Sequence, residues 1–286
     1  MGRSVVLLVN RAKGEAARAG DEVAELVRAH GTLVATLDSE DPAAAASVGE
    51  ADLLVVLGGD GTLLAAARQH ARGDTPLLGV NIGKVGFMAG FEMESIRRHA
   101  RAVFGGAPLT THAVSMLRAQ VVDEHGHEGE QLEAVNEFVV TAGPPYRMIT
   151  LAMSIDGNAG PQVRGDGLIV ATPTGSTAYN VSAGGPIVAP MVGATVITPI
   201  AAHSLAFRPI VLGERQVVEV TVVEANEENG GGTTLVADGQ ERRRVRVGER
   251  VRIQGGGRRI EFVVDPEVSY WRTLMRKMGW AAPPRG

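Results

Sequence analysis

The chain has 286 residues, 44% of them hydrophobic and 21% charged, the composition of a globular protein with one large or two ordinary cores. A formal charge of −4 leaves no global basic field for nucleic acid or anionic lipid, and the lack of cysteine excludes disulfides, thiolate metal sites and a cysteine nucleophile. No apolar run approaches the roughly 20 residues that span a bilayer. The short run Val5–Val9 is followed by Asn10, Arg11 and Lys13 with no cleavage pattern, so it reads as a first strand and the chain as cytoplasmic.

Up to about residue 110 strands and helices alternate. Val5–Val9 precedes a helix from Glu15 to His30, where Val23, Leu26, Val27 and His30 recur at helical spacing and Gly31 suits the C-cap. Thr32–Leu37 and Leu53–Leu57 read as strands, Thr62–Arg72 as a helix, Leu77–Val80 as a buried strand and Ser95–Phe104 as a helix stopped by Gly105-Gly106. The pattern predicts an α/β domain, 1–110, with a mainly parallel sheet. Beyond it, short β-rich runs are separated by glycine and Asx turns, among them Asp156-Gly157-Asn158, Asn229–Gly232 and Asp238-Gly239. Val217–Val223 and Val245–Ile253 alternate as half-buried antiparallel strands do, so 111–265 is expected to be a β-rich, sandwich-like domain. Residues 266–280 are expected to pack back on the first domain, and Ala281–Gly286 to form a tail.

The most pointed local feature is Gly58-Gly59-Asp60-Gly61-Thr62, directly after the apolar Leu53–Leu57 and directly before the helix-forming Leu63–Ala67. A strand that empties into a glycine turn and a helix N-terminus presents free N–H groups and partial positive charge to a phosphate. The glycines are expected to permit close approach and dihedrals that a Cβ forbids. Asp60 beside such a cradle has a clear use, to take the proton of an attacking hydroxyl. The spacing matches neither a dinucleotide G-x-G-x-x-G fingerprint nor a Walker A loop, so phosphoryl transfer, the first expectation, would not be of the P-loop type.

A second cluster spans Asp166 to Pro186. Five hydroxyls (Thr172, Thr174, Ser176, Thr177, Ser182), more than helix capping needs, stand near Tyr179 and Asn180, which suggests a polar ligand cradle with a helix starting near Ser176. Asn136-Glu137 interrupts the strand-like run Leu132–Val140, placing one polar side chain inward, where ribose hydroxyls would satisfy it. His203 and Arg208 read as loop-stabilising. Arg242, Arg243, Arg244, Arg246, Arg250 and Arg252 read as the solvated face of two strands, not a nucleic-acid stripe.

Together Gly58–Thr62, Gly83–Phe87, Asn136-Glu137, Arg147-Met148-Ile149, Arg164–Gly167, Thr172–Pro186, His203–Pro209 and Asp238-Gly239-Gln240 resemble the NAD kinase family, in its compact bacterial form. The resemblance implies transfer of the terminal phosphoryl group of ATP, or of polyphosphate in some members, to the 2′-hydroxyl of the adenosine ribose of NAD, giving NADP. It implies a divalent metal, magnesium, for which no set of protein ligands is identifiable in the sequence. Asp60 would be the general base and Gly58, Gly59, Gly61 and Thr62 the phosphate-binding turn. Asn136 and Glu137 would hold the adenosine end. Asp166, Thr174, Thr177, Ala178, Tyr179, Asn180, Val181, Ser182, Ala201 and Gln240 would line the NAD pocket, with Arg147 and Arg164 offsetting phosphate charge and Phe87 packing on a ring. Ala201-Ala202 precedes His203 where the family often has Cys-Pro or Pro-Pro, and Lys84-Val85 departs mildly from its pattern. A homodimer or homotetramer is implied, with sites completed across subunits. Two alternatives stand beside it: a diacylglycerol- or sphingosine-type lipid kinase sharing the turn, which leaves Thr172–Pro186 unexplained, and a non-catalytic NAD(P)-binding regulator, which has no need of Asp60.

Overall fold

A computed structural model describes residues 2–12, 14–39, 41, 51–70, 75–83, 86–88, 90–225 and 232–279. Arg72, Lys84-Val85, residues 229–231 of the expected turn, Trp280 and the tail 281–286 lie outside these described residues. The chain forms two compact units, one running to Ala113 and resuming at Ile260, the other being Val114–Arg259. Both crossings fall within strands, slightly after the expected division at 110 and ahead of the expected return at 266.

In the first unit, β1 (Ser4–Val9), β2 (Thr32–Asp38), β3 (Leu53–Gly58) and β4 (Leu77–Asn81) are joined by parallel pairing in the order β2-β1-β3-β4. The short β5 (Phe91–Glu92) runs beside the end of β4, and the sheet continues through the strand Arg259–Val263 to β6 (Thr111–Ser115). The apolar runs of β1, β3 and β4 are buried throughout, as strands of a sheet covered on both faces are. Helices α1 (Gly14–His30), α2 (Asp60–Gln69) and α3 (Met93–Phe104) supply the cover, with Val23, Val27, Ile96 and Phe104 in one core with Leu7, Val55 and Leu78. The returning segment is tied to this unit through Asp265, which accepts from Ser95 Oγ, and through Glu267, which faces Arg98 and His99. It ends in a helix, Tyr270–Met278.

The second unit is a pair of antiparallel sheets. One holds, in spatial order, β11 (Asn158–Gly165), β10 (Ile149–Ile155), β15 (Val217–Glu224), β18 (Arg250–Gln254), β7 (Leu117–Val122) and β8 (Leu132–Ala134). The other holds β14 (Ile210–Gly213), β13 (Ala194–Ile200), β12 (Gly167–Ala171), β9 (Glu137–Thr141), β16 (Thr234–Ala237) and β17 (Glu241–Arg244). Val218, Val220 and Val222 of β15 and Val251 and Ile253 of β18 share a core with Phe138, Val140, Leu168 and Leu235, so the alternation on each strand fills the space between the sheets. The outer face of the second sheet carries its own apolar patch, Val139, Ile169, Ala171 and Val196, with Val188 packed on it.

Two expected strands are divided. Leu132–Val140 is not one strand: β8 belongs to one sheet and β9 to the other, and the chain changes sheets at Val135-Asn136. Val245–Ile253 likewise breaks where Gly248 turns with φ 87°, leaving Val247 half exposed. A period of two persists across such a turn by coincidence of register, which is why the sequence reads continuously.

Candidate functional site

The turn after β3 places Asp60 in the first turn of α2, two residues earlier than the sequence suggests, because the Thr62 and Leu63 N–H groups both bond to Gly59 O. The Asp60 carboxylate is half-buried and accepts from two further backbone donors, Phe87 N–H at 2.8 Å to Oδ2 and Met88 N–H at 3.2 Å to Oδ1. Gly86 makes the arrangement possible: a Cβ there would stand 1.8 Å from Asp60 Oδ1. The expectation that the turn glycines adopt forbidden dihedrals is corrected. Gly59 is extended at φ −93°, and neither Gly58 nor Gly59 has positive φ. Gly58 is required for closeness instead, since a Cβ would lie 2.7 Å from Thr62 Oγ1, while the space beside Gly59 is open. Gly61 is exposed on that same first turn. The Phe87 ring carries the Lys277 ammonium 4.7 Å from its centroid, a cation–π contact from the C-terminal helix.

In the second unit a cleft of about 660 Å³ opens on the outer face of the second sheet. Of the predicted residues it gathers Glu137, Asp166 and Tyr179, with Asp238, Gly239 and Arg242 added. Asp238 is the organiser that the sequence reading missed. Held at φ 47°, its carboxylate accepts from the N–H groups of Val135, Asn136 and Glu137 at 3.0, 2.7 and 3.2 Å, fixing the point where the chain changes sheets. The Asp-Gly pair signals a turn in sequence, but not that its carboxylate serves a distant strand.

Glu137 is only 6% exposed, with Oε2 buried and unpartnered. Burial, and secondarily the neighbouring Asp238 charge, push its carboxyl up to about 8 against the opposing effect of the Tyr179 N–H bond. A buried carboxyl with a free oxygen facing a cleft suits a hydroxyl-bearing ligand.

The hydroxyl-rich segment is spent mostly on itself. Thr172 Oγ1 donates to Val135 O and accepts from Gly175 N–H, Ser176 Oγ donates to Pro173 O, and Thr177 Oγ1 donates to Thr174 O. Gly175 in the 3₁₀ turn Gly175–Thr177 lies so close to Asn136 that a Cβ would meet its carbonyl oxygen at 2.1 Å. Asn180, expected to face the ligand, is fully buried in the short helix α4 (Tyr179–Ser182), donates to Ser176 O and Pro186 O and accepts from Thr198 Oγ1. Its amide holds the loop. Thr174, Ala178 and Val181 are half-buried and Ser182 exposed beside it, outside the lining of the cleft. Arg147, Arg164, Ala201 and Gln240 are exposed and also outside the lining, with Ala201 at φ 45°. His203 N–H bonds to Arg164 O, and Arg208 donates to Leu205 O and Phe207 O, the loop-stabilising part expected of them.

Comparison with known proteins bears on both halves. The model of the ATP-NAD kinase N-terminal domain matches residues 10–107 and that of the ATP-NAD kinase C-terminal domain residues 135–264. The NAD kinase of Rhodopirellula baltica is 37% identical over 233 residues, covering 81% of this chain and 73% of the relative. The chain belongs to the NAD kinase family. Another member, from Syntrophobacter fumaroxidans, is 33% identical over 97% of this chain and 99% of its own. As a member of this family, the chain is a phosphotransferase with an alcohol group as acceptor, which sets aside the lipid-kinase and regulator readings. Among solved structures, an NAD kinase from Archaeoglobus fulgidus in complex with ATP superposes with TM-score 0.73 at 26% identity, covering 96% of this chain and 98% of that one. Yeast NADH kinase complexed with NADH gives TM-score 0.82 at 22% identity, covering 99% and 89%, a likeness of fold.

Proposed function

We propose that this NAD kinase family member transfers the γ-phosphoryl group of ATP to the 2′-hydroxyl of the adenosine ribose of NAD, with Asp60 as general base. The observation that carries the assignment is the Asp60 carboxylate, set by two backbone N–H groups in the first turn of α2 beside an open turn. In the step, the 2′-oxygen forms a bond to the γ-phosphorus as the bond from that phosphorus to the β,γ-bridging oxygen breaks. The 2′-hydroxyl proton passes to Asp60, and ADP leaves. The open space beside Gly59, at the N-terminal end of α2, suits the phosphates of the donor. Glu137, Asp166 and Tyr179 line the NAD cleft, with Asn136 at the point where the chain changes sheets. Thr174, Thr177, Ala178, Val181, Ser182, Ala201, Gln240, Arg147 and Arg164, outside the cleft lining, keep the family-implied part in binding as a proposal.

Among the described residues no group of three or more His, Asp or Glu side chains is placed to hold a metal. In this reading magnesium is carried by the ATP, held by phosphate oxygens as that ion commonly is. Incubating the protein with NAD, MgATP or magnesium polyphosphate and measuring NADP tests the assignment. No NADP with either donor would refute it.

The same reading includes self-association and a cytoplasmic location, where NAD and ATP are both at hand. Ile210 and Val211 on the edge strand β14 are 42% and 51% exposed, and Leu205 before it is 89% exposed, an apolar edge that a second copy would cover. Light scattering at assay concentration tests it, and a fully active monomer would overturn it. No described helix is long and apolar enough to cross a membrane.

A further inference from the structure

The arginine run 242–252 does not behave as one solvated face. Arg243 reaches Glu130 at 2.6 Å, Arg252 reaches Glu128 at 2.6 Å and Glu219 at 3.0 Å, and Arg246 reaches Glu249 at 3.6 Å. Arg242 is different: among the described residues it makes no hydrogen bond or ion pair, and it lines the cleft. The register explains the difference. On the edge strand β17 Arg242 stands opposite Val236, which stands opposite Val139, which stands opposite Ile169. Val139 and Ile169 belong to the outer apolar patch and Val236 packs on it, so Arg242 shares the cleft-bearing face. Arg243 points the other way, since successive side chains of a strand alternate.

Among the described residues, the cleft lining otherwise carries three acidic groups, Glu137, Asp166 and Asp238, and Arg242 is its only cation. Asp238 and Glu137 lie close enough for the charge of one to raise the other. The Asp166 and Asp238 carboxylates would repel an anionic ligand, and Arg242 supplies a compensating charge on the same lining. We propose that Arg242 receives the pyrophosphate of the dinucleotide in this cleft, and so sets its preference for phosphate-bearing over phosphate-free adenosine ligands. The guanidinium offers paired donors that match two phosphate oxygens, which an ammonium does not reproduce. Among the described residues, no ion pair of Arg242 must break when the ligand binds.

The inference rests on the reading that this cleft holds NAD, and the test separates the two. Binding of NAD, ADP-ribose and adenosine to the full chain is measured by titration calorimetry for Arg242→Ala, Arg242→Lys, Arg243→Ala and Val236→Trp, each checked for a native melt. The expected result for Arg242→Ala is weakening of NAD and ADP-ribose by roughly 5- to 30-fold, the range of a charge-assisted hydrogen bond at a partly open site. Adenosine binding should be unchanged, and the salt dependence of NAD binding should be shallower than in the wild type. Arg242→Lys should recover part of the loss, and Arg243→Ala should leave all three ligands unaffected. Val236→Trp, which fills the cleft, should abolish binding of all three. If Val236→Trp abolishes binding but Arg242→Ala leaves ADP-ribose intact, or weakens adenosine equally, the role of Arg242 is overturned and the cleft stands. If Val236→Trp leaves NAD binding intact, the cleft assignment falls and the role of Arg242 falls with it.

Discussion

Gly86→Ala tests whether the position of Asp60, and not only its presence, carries the chemistry. The added Cβ would fall 1.8, 2.4 and 2.6 Å from Oδ1, Cγ and Oδ2 of Asp60. Ordinary carbon–oxygen contacts need about 3.4 Å, so the carboxylate must move by about 1.5 Å or the loop must retreat; either breaks the bonds from Phe87 and Met88 N–H. A 1 Å misplacement of a reacting group can cost about 10²-fold in rate. The expected outcome is a kcat lowered by roughly 30- to 300-fold in a coupled NADP assay, with NAD affinity within a few-fold of wild type. Stability should fall by only about 1–2 kcal/mol, because a half-buried carboxylate regains water when its N–H partners are lost. Since Gly86 acts through Asp60, the same substitution on an Asp60→Asn background should have little further effect, a non-additivity that a general loop defect would not show. A Gly86→Ala enzyme with wild-type kcat, or fully additive losses, would refute the reasoning.

Asp60→Asn should lower kcat by about 10² to 10⁴ and leave NAD binding within a few-fold, because the amide keeps the shape but takes no proton; retention of most of the wild-type kcat would remove Asp60 from its role. Glu137 gives a pH signature. Its carboxyl is raised from 4.5 to about 8, so the fold holds a proton that the unfolded chain releases, and stability falls as pH rises from about 4.5 to about 8 and is flat above. The whole difference would be worth about 5 kcal/mol, an upper bound that relaxation reduces. Glu137→Gln should flatten melting temperature against pH across that window, and an unchanged slope in thermal melts would contradict it. Asn180→Ala should destabilise by about 2–4 kcal/mol, leaving the fully buried Thr198 hydroxyl and two carbonyls without their partner. A change below about 0.5 kcal/mol in denaturant unfolding would mean that the amide is replaceable by water.

The first unit was largely legible because each of its signals is local. An unbroken apolar run such as Leu53–Leu57 reads as a buried strand by its shortness and its flanking glycines, and glycines before a helix-forming stretch mark the turn. Asp60 stood out for the same reason. What could not be read depends on partners far along the chain. Gly86 is required only because Asp60 comes to lie beside it, and Asp238 matters through N–H groups of a strand a hundred positions earlier. The hydroxyls of Thr172–Ser182 misled in a specific way. Composition showed an excess over capping needs, but Thr172, Ser176 and Thr177 turn back on main-chain carbonyls, so polar density marked a tightly self-bonded loop at the border of the cleft. The arginine run failed differently, since six arginines alike in sequence are separated only by the strand register that sends Arg242 to one face and Arg243 to the other.

Two carboxyl groups in this chain are held in opposite ways, and the contrast follows from where the backbone places donors. Asp60 sits in the first turn of α2, and its carboxylate accepts from the N–H groups of Phe87 and Met88. Glu137 stands at the start of β9, where the ladder consumes the donors. Asp238 has taken the N–H of Glu137 itself and those of its two predecessors, which leaves Glu137 with the Tyr179 N–H alone. A carboxyl so starved of donors and crowded by a second acid keeps its proton below about pH 8. It can then give one hydrogen bond and accept another, which is what the adjacent hydroxyls of a ribose offer in return. Binding a neutral diol against a neutral carboxyl avoids desolvating an ion, so the same Asp238 that ties the strand crossing together also prepares Glu137 for its ligand.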